Sequence, residues 1–118
     1  MTNNSFSEIK KVLDIFLEGT KHLDYDMMTS VVHPDGQMFL GEQSESKLLY
    51  EHWQNVRTMT EQEKKDYASS FRSEILSIEV VGSIACAKTM MNNWIDFLSL
   101  IKVDDDWKIV TKVSHKRK

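Results

Sequence analysis

The sequence predicts an α+β fold in which helices cover one face of an antiparallel β-sheet. Three observations carry that expectation. Apolar residues recur every three or four positions near the start of the chain, whereas from about Ser70 they alternate every second residue. The third is the stretch WIDFLSLIKVDDDWKIVTKV, from Trp94 to Val113, which reads as two strands joined by an acidic turn, the first apolar on both faces. A strand apolar on both sides is covered on both sides. One cover is the chain's own helices. A protein of 118 residues has too few elements for a second cover, so the other is most simply another copy of itself.

Taken in order, Ser5-Phe6-Ser7-Glu8 fits a capping box with Ser5 as the cap, which starts a helix there. Phe6, Ile9, Leu13, Phe16, Leu17 and Thr20 form its apolar stripe to about His22, with Lys10, Lys11, Asp14, Glu18 and Lys21 on the other face. A short second helix runs from an Asp24 cap through Met27, Met28, Val31 and Val32 until Pro34 and Gly36 stop it. Gln37 to Leu40 forms a brief strand, and a loop follows over Gly41 to Ser46. Leu49, Trp53 and Val56 then mark a third helix, roughly Ser46 to Arg57. The run TEQEKKD, between Met59 and Asp66, is charged without an apolar side chain and reads as a solvated connection.

The rest is a four-strand meander. Gly82-Ser83 and Asn92-Asn93 are two-residue hairpin turns, so Val81 pairs with Ile84 and Met91 with Trp94. That register puts Leu76, Ile78, Val80, Ala85, Ala87, Thr89, Met91, Trp94, Asp96, Leu98, Leu100 and Lys102 on one almost wholly apolar face, where the alanines leave room for a helix. The opposite face carries Val81, Ile84, Cys86, Lys88, Ile95, Phe97, Ile101 and Val103, a mixture suited to a subunit interface. A turn at Asp105-Asp106 adds Trp107, Ile109, Thr111, Val113 and His115 to the helix side.

At 118 residues the chain is expected to form a single domain, residues 1–118, with 41% hydrophobic and 28% charged residues and a net charge of −3. The charge argues against a nucleic-acid binder, and the closing His115-Lys116-Arg117-Lys118 reads as a frayed tail. No run approaches the ~18–20 apolar residues of a membrane span. Met1 to Ser7 does not resemble a signal peptide, so the expected location is cytoplasmic. Cys86 is the only cysteine, which rules out an internal disulfide, and it reads as a small buried strand residue. No His and carboxylate pair on one element has the spacing of a metal site, and no metal or cofactor is expected.

The segments VVHPDGQMFL, SIEVVGSIACAKT and WIDFLSLIKVDDDWKIVTKV resemble the nuclear transport factor 2-like superfamily, and within it the family described as "Putative lumazine-binding", close to the polyketide-cyclase-like branch. The resemblance covers nearly the whole chain. It implies a cone-shaped fold, with three N-terminal helices on a curved antiparallel sheet, a cavity opening at one end and dimerisation through the outer sheet face. The Asp104-Asp105-Asp106 turn departs from the pattern, since such proteins commonly carry a Gly there.

Asp96 is the sharpest candidate for chemistry. Desolvation on an apolar face disfavours the charged carboxylate and suits it to proton transfer. In the expected register it lies between Thr89 and His115, which makes an acid-base pair with His115 conceivable. The plainer reading is a structural carboxylate at the cavity rim, bonded to Thr89 or a backbone amide. If Asp96 is catalytic, Asp96→Asn spares folding; if it is structural, stability falls. His33, before Pro34, is either a second acid-base group at the cavity mouth or a helix-end residue favourable to the last carbonyls. Asp35 is an ordinary turn former, and His22, His52, Lys102 and Lys112 read as solvated.

Phe16, Phe39, Trp53, Thr89, Met91, Trp94, Leu98 and Trp107 line a cavity for a flat or apolar molecule, or else are plain core. Three functions follow: a dimeric binding module for a small apolar or aromatic ligand, a cofactor-independent lyase, isomerase or cyclase using Asp96 with His33 or His115, and a non-catalytic dimerisation domain. The homodimer interface is expected to use Val81, Ile84, Ile95, Phe97 and Ile101.

Overall fold

The computed structural model describes residues 4–41 and 46–117. Helix α1 (Ser5–Lys21) buries Ile9, Leu13, Phe16, Leu17 and Thr20 of the expected stripe, whereas Phe6, in its first turn, is exposed. Its cap is Asn4 rather than Ser5. The Asn4 carbonyl accepts the Glu8 amide at 2.9 Å and so starts the helical ladder one residue early, with no side-chain cap bond. Helix α2 (Tyr25–Ser30) has the expected cap, with the Asp24 carboxylate accepting the Met27 amide at 3.1 Å. It stops at Ser30 because Val32 already pairs with Ile109 in strand β1 (Val32–Leu40). His33 therefore sits on a strand and not at a helix end. Pro34 and Gly36 fall in a register irregularity between Val32 and Gln37, where no ladder donor is needed.

The expected third helix is three pieces: strand β2 (Ser46–Leu48), helix α3 (Leu49–His52) and a 3-10 turn, Gln54–Thr58. Leu49, Trp53 and Val56 are all buried, so their spacing set the facing, but β2 is drawn off to pair with the free side of β1. Most of the expected Gly41 to Ser46 loop lies outside the described residues. The charged run is no connection but helix α4 (Glu61–Ser70), which makes four α-helices among the described residues rather than three. Thr60 accepts the Glu63 amide at 3.1 Å while Glu63 accepts the Thr60 amide at 2.8 Å, a complete capping box. No residue of α4 is fully buried, which is why its composition is so polar. Thr60→Ala should lower stability by about 0.5–2 kcal/mol, seen as a lower thermal midpoint. An unchanged midpoint would mean that α4 adds nothing to the folded state.

Strands β3 (Ser73–Val81), β4 (Ile84–Met91), β5 (Trp94–Val103) and β6 (Asp106–Lys116) complete a six-stranded sheet ordered β2-β1-β6-β5-β4-β3. β1 runs parallel to β6, and the other neighbouring pairs are antiparallel. Ile9, Leu13 and Phe16 belong to one core with Ala85, Ala87, Leu98, Leu100, Trp107 and Ile109 of the sheet. Val81 pairs with Ile84, Met91 with Trp94 and Thr89 with Asp96, as the turns require. Gly82 and Asn92 take the positive φ of those turns.

Two bulges depart from strict alternation. In β3 the register shifts between Ile75 and Ser77, so Ile75 packs toward the core and Leu76 is exposed. In β6, Leu100 pairs with Ile109 but Ser99 pairs with Thr111, leaving Val110 as the extra residue. The turn before it is Asp104-Asp105, both at positive φ, rather than Asp105-Asp106. No helix among the described residues is long and apolar enough to cross a membrane.

Candidate functional site

The bulge at Val110 decides which β6 side chains face the helices. Trp107 and Ile109 point inward, as alternation from the turn requires. Past the bulge the parity reverses. Lys112 and Ser114 are buried, whereas Val113 and His115 are exposed. Asp96 therefore pairs with Ser114, and His115 pairs with Ile95 on the outer face, away from Asp96. β6 also remains a strand through Lys116, so the basic end is not a frayed tail as far as the described residues go.

Asp96 is 0% exposed. Its Oδ1 accepts the Ser114 hydroxyl at 2.5 Å and lies 3.3 Å from the Lys112 ammonium, which itself donates to Ser114 Oγ at 2.8 Å. Three polar side chains thus close a triangle inside an apolar layer. Asp96 Oδ2 and Thr89 Oγ1 have no hydrogen-bond partner among the described residues, so Thr89 does not act as the donor expected of it. Burial pushes the Lys112 ammonium below its ordinary range, and the nearby Asp96 carboxylate opposes that shift by attraction and hydrogen bonding. Lys112 is therefore not a solvated strand-end lysine: the amine is one of the buried polar groups of the fold.

Beside this triangle lies a cavity of ≈ 580 Å³, between α1, α2, the segment after α3, and the ends of β4, β5 and β6. Phe16, Trp53, Met91 and Trp94 are on its wall, joined by Met28 and Met38. The Phe16 and Trp53 rings stand 5.6 Å apart. Lys112 reaches the wall and Asp96 sits behind it, off the lining. His52 is exposed, as expected, and also lines the cavity. Its imidazole is pushed below the ordinary histidine range, first by burial and then by repulsion from Lys112 and Lys47.

Other expected site residues lie elsewhere. Thr89, Leu98 and Trp107 are buried in the core without reaching the cavity wall. Phe39 points outward, because its strand neighbour Val113 does, and Val113 in turn adjoins Phe97. His33 accepts the Asp35 amide at 3.0 Å in a local turn and does not line the cavity. Cys86 is exposed on the outer face, not buried. His22 is exposed and paired with Glu18 at 2.9 Å. Lys112 and Ser114 escape a reading by alternation, since the bulge that turns them inward leaves no mark in residue type, whereas Lys116 and His52 line the cavity from exposed positions.

Helices packed on one face of this sheet, with an apolar cavity at one end, define an α+β protein of the nuclear transport factor 2-like kind. Solved structures agree. A nuclear transport factor 2-like protein of unknown function from Shewanella baltica OS155 superposes with a TM-score of 0.79 at 19% identity, covering 100% of this chain and 99% of that one. One from Methylobacillus flagellatus KT gives 0.76 at 22%, covering 100% and 96%. A ketosteroid isomerase-like protein from Erwinia carotovora atroseptica SCRI1043 gives 0.72 at 11%, covering 99% of each. Comparison with curated proteins finds no match. Residues 4–115 match the family described as "Putative lumazine-binding", and the chain belongs to that family.

Proposed function

We propose that this protein binds a small flat or apolar molecule in the cavity beside Lys112, and that it does so as a homodimer joined through the outer sheet face. The observation that carries the reading is the cavity itself. At ≈ 580 Å³ it falls in the range of ligand sites, and it combines an aromatic and methionine wall with a few convergent polar groups. A pure interaction domain would fill that space with its own side chains. The family description suggests lumazine-type heterocycles as first candidates. Trp53 and Trp94 lie on the wall and report occupancy. Titration with flat heterocycles should quench their fluorescence saturably, and Leu40→Trp, which intrudes on the cavity, should weaken binding about tenfold or more. A panel that gives no saturable change, or equal affinity for the variant, would sink the cavity reading.

The dimer reading rests on exposed apolar residues that share a face: Val81 at 72%, Phe97 at 59% and Ile84 at 56% exposure, with Val113 and Phe39 continuing the row. Ile95 and Ile101 are half-buried between them. Such contiguous apolar area is unusual for a monomer. Phe97→Glu should yield monomers by sedimentation and speed the reaction of Cys86, on the same face, with a thiol reagent. Wild type sedimenting as a monomer at low micromolar concentration would remove the dimer.

A second reading, a cofactor-independent lyase, isomerase or cyclase, is favoured by the Asp96, Lys112 and Ser114 triangle, of which Lys112 reaches the cavity wall. Lys112 would exchange the proton and Asp96 would position it, in place of His33 or His115. A ligand recovered chemically altered by wild type, and unaltered by Lys112→Met, would favour this over binding alone.

A further inference from the structure

We propose that the cavity is selective for a small apolar or aromatic monoanion, such as an aryl carboxylate, with the Lys112 ammonium as its inner contact and Lys116 at its edge. This rests on the reading of the cavity as a ligand site. The charges on the wall carry it. The protein has 18 Asp and Glu against 15 Lys and Arg, yet among the described residues the cavity lining includes Lys112, Lys116 and His52 and no carboxylate. Asp96 offsets the charge of Lys112 from behind but is off the wall, so the lining itself presents the ammonium and Lys116 to a ligand. The carboxylate is withdrawn behind Lys112 and engaged by Ser114.

An ammonium has three N–H donors. Ser114 Oγ at 2.8 Å and Asp96 Oδ1 at 3.3 Å account for two of them, which leaves one for a group inside the cavity. An acceptor there meets a desolvated cation, where a charge-assisted hydrogen bond is stronger than in water. The remaining polar groups, among them Asn55, Asn92 and Tyr67, supply neutral hydrogen bonds and no further charge. His52 is kept toward its neutral form by burial and by the two lysines near it. One inner cation and one at the edge suit a single negative charge. A phosphate ester would call for an Arg fork or a nest of backbone amides, and no Arg among the described residues is on the wall.

The test compares benzoate and 2-naphthoate with their primary amides, which keep the shape and remove the charge. Binding is read by calorimetry and by tryptophan fluorescence. The carboxylates should bind about tenfold or more tightly than the amides, and added salt should weaken only the carboxylates. Lys112→Met combined with Asp96→Asn, which removes both charges together, should abolish the preference. Lys116→Met, at an exposed position that tolerates change, should reduce it in part. Amides binding as well as carboxylates would overturn the anion proposal while leaving the cavity reading in place. Failure of both series to bind would overturn both. A preference that survives in the double variant would also overturn the assignment to Lys112.

Discussion

Asp96→Asn should cost about 3–5 kcal/mol of stability, the typical penalty for removing one partner of a buried ion pair. The asparagine fits the space, but it leaves the Lys112 ammonium inside the protein without its counter-charge, and a buried cation without one is far more expensive than a lost hydrogen bond. The pair is better evidence of specificity than of net stabilisation, because two desolvated charges repay their burial only in part. Adding Lys112→Met to Asp96→Asn should therefore recover most of the loss. Denaturant unfolding of the two single variants and the double variant measures this coupling directly.

The pH dependence of Asp96→Asn follows from the depressed Lys112 ammonium. A base whose folded-state pKa lies below its ordinary 10.5 is penalised while protonated, and the penalty is relieved as pH rises from the folded pKa toward that value. In Asp96→Asn the carboxylate that opposed the depression is gone, so the window widens downward. The deficit relative to wild type should be greatest near neutral pH, and should shrink as the solution is made alkaline. A deficit that grows with alkalinity would contradict the assignment of the penalty to Lys112.

Phe16→Ala is expected to be of similar size, about 3–5 kcal/mol. Phe16 is 0% exposed, belongs to the core with Ile9 and Leu13 of its own helix, and meets Trp53 at 5.6 Å. Its removal deletes the ring contact and joins the vacated volume to an existing cavity, so neighbouring side chains have little to collapse onto. Phe16 also forms part of the cavity wall. An added apolar ligand should thus recover part of the lost stability, growing with the logarithm of its concentration above the dissociation constant. A cost below about 1 kcal/mol would mean that the ring is replaceable and the site already relaxed.

These expectations depend on details of unequal legibility in the sequence. Gly82-Ser83 and Asn92-Asn93 are short, unambiguous turns, and from them the facing of β4 and β5 follows, including the placement of Asp96 beside Thr89. β6 was not legible in the same way. Three consecutive aspartates offer more than one turn, and the bulge at Val110 reverses the parity of the residues that complete the site. A backbone irregularity of one residue therefore separates a solvated lysine from a buried one. Helix α4 was hidden differently: its capping box stands in the sequence as Thr60 and Glu63, but nearly continuous charge suggested a loop, because a helix without a buried face has no apolar period to find. Pairing of Ser46–Leu48 along β1 is a tertiary outcome with no local pattern of its own.

If the cavity beside Lys112 is where this protein takes its ligand, the methionines provide the most direct view of it. Met28, Met38, Met59 and Met91 line the cavity, whereas Met90 does not. With methionine methyl groups carbon-13 labelled, titration with an aryl carboxylate should shift the signals of those four, in step with one saturation curve, while Met90 stays in place. Shifts confined to Met90, or no saturable shift with any flat apolar compound tested, would contradict that reading.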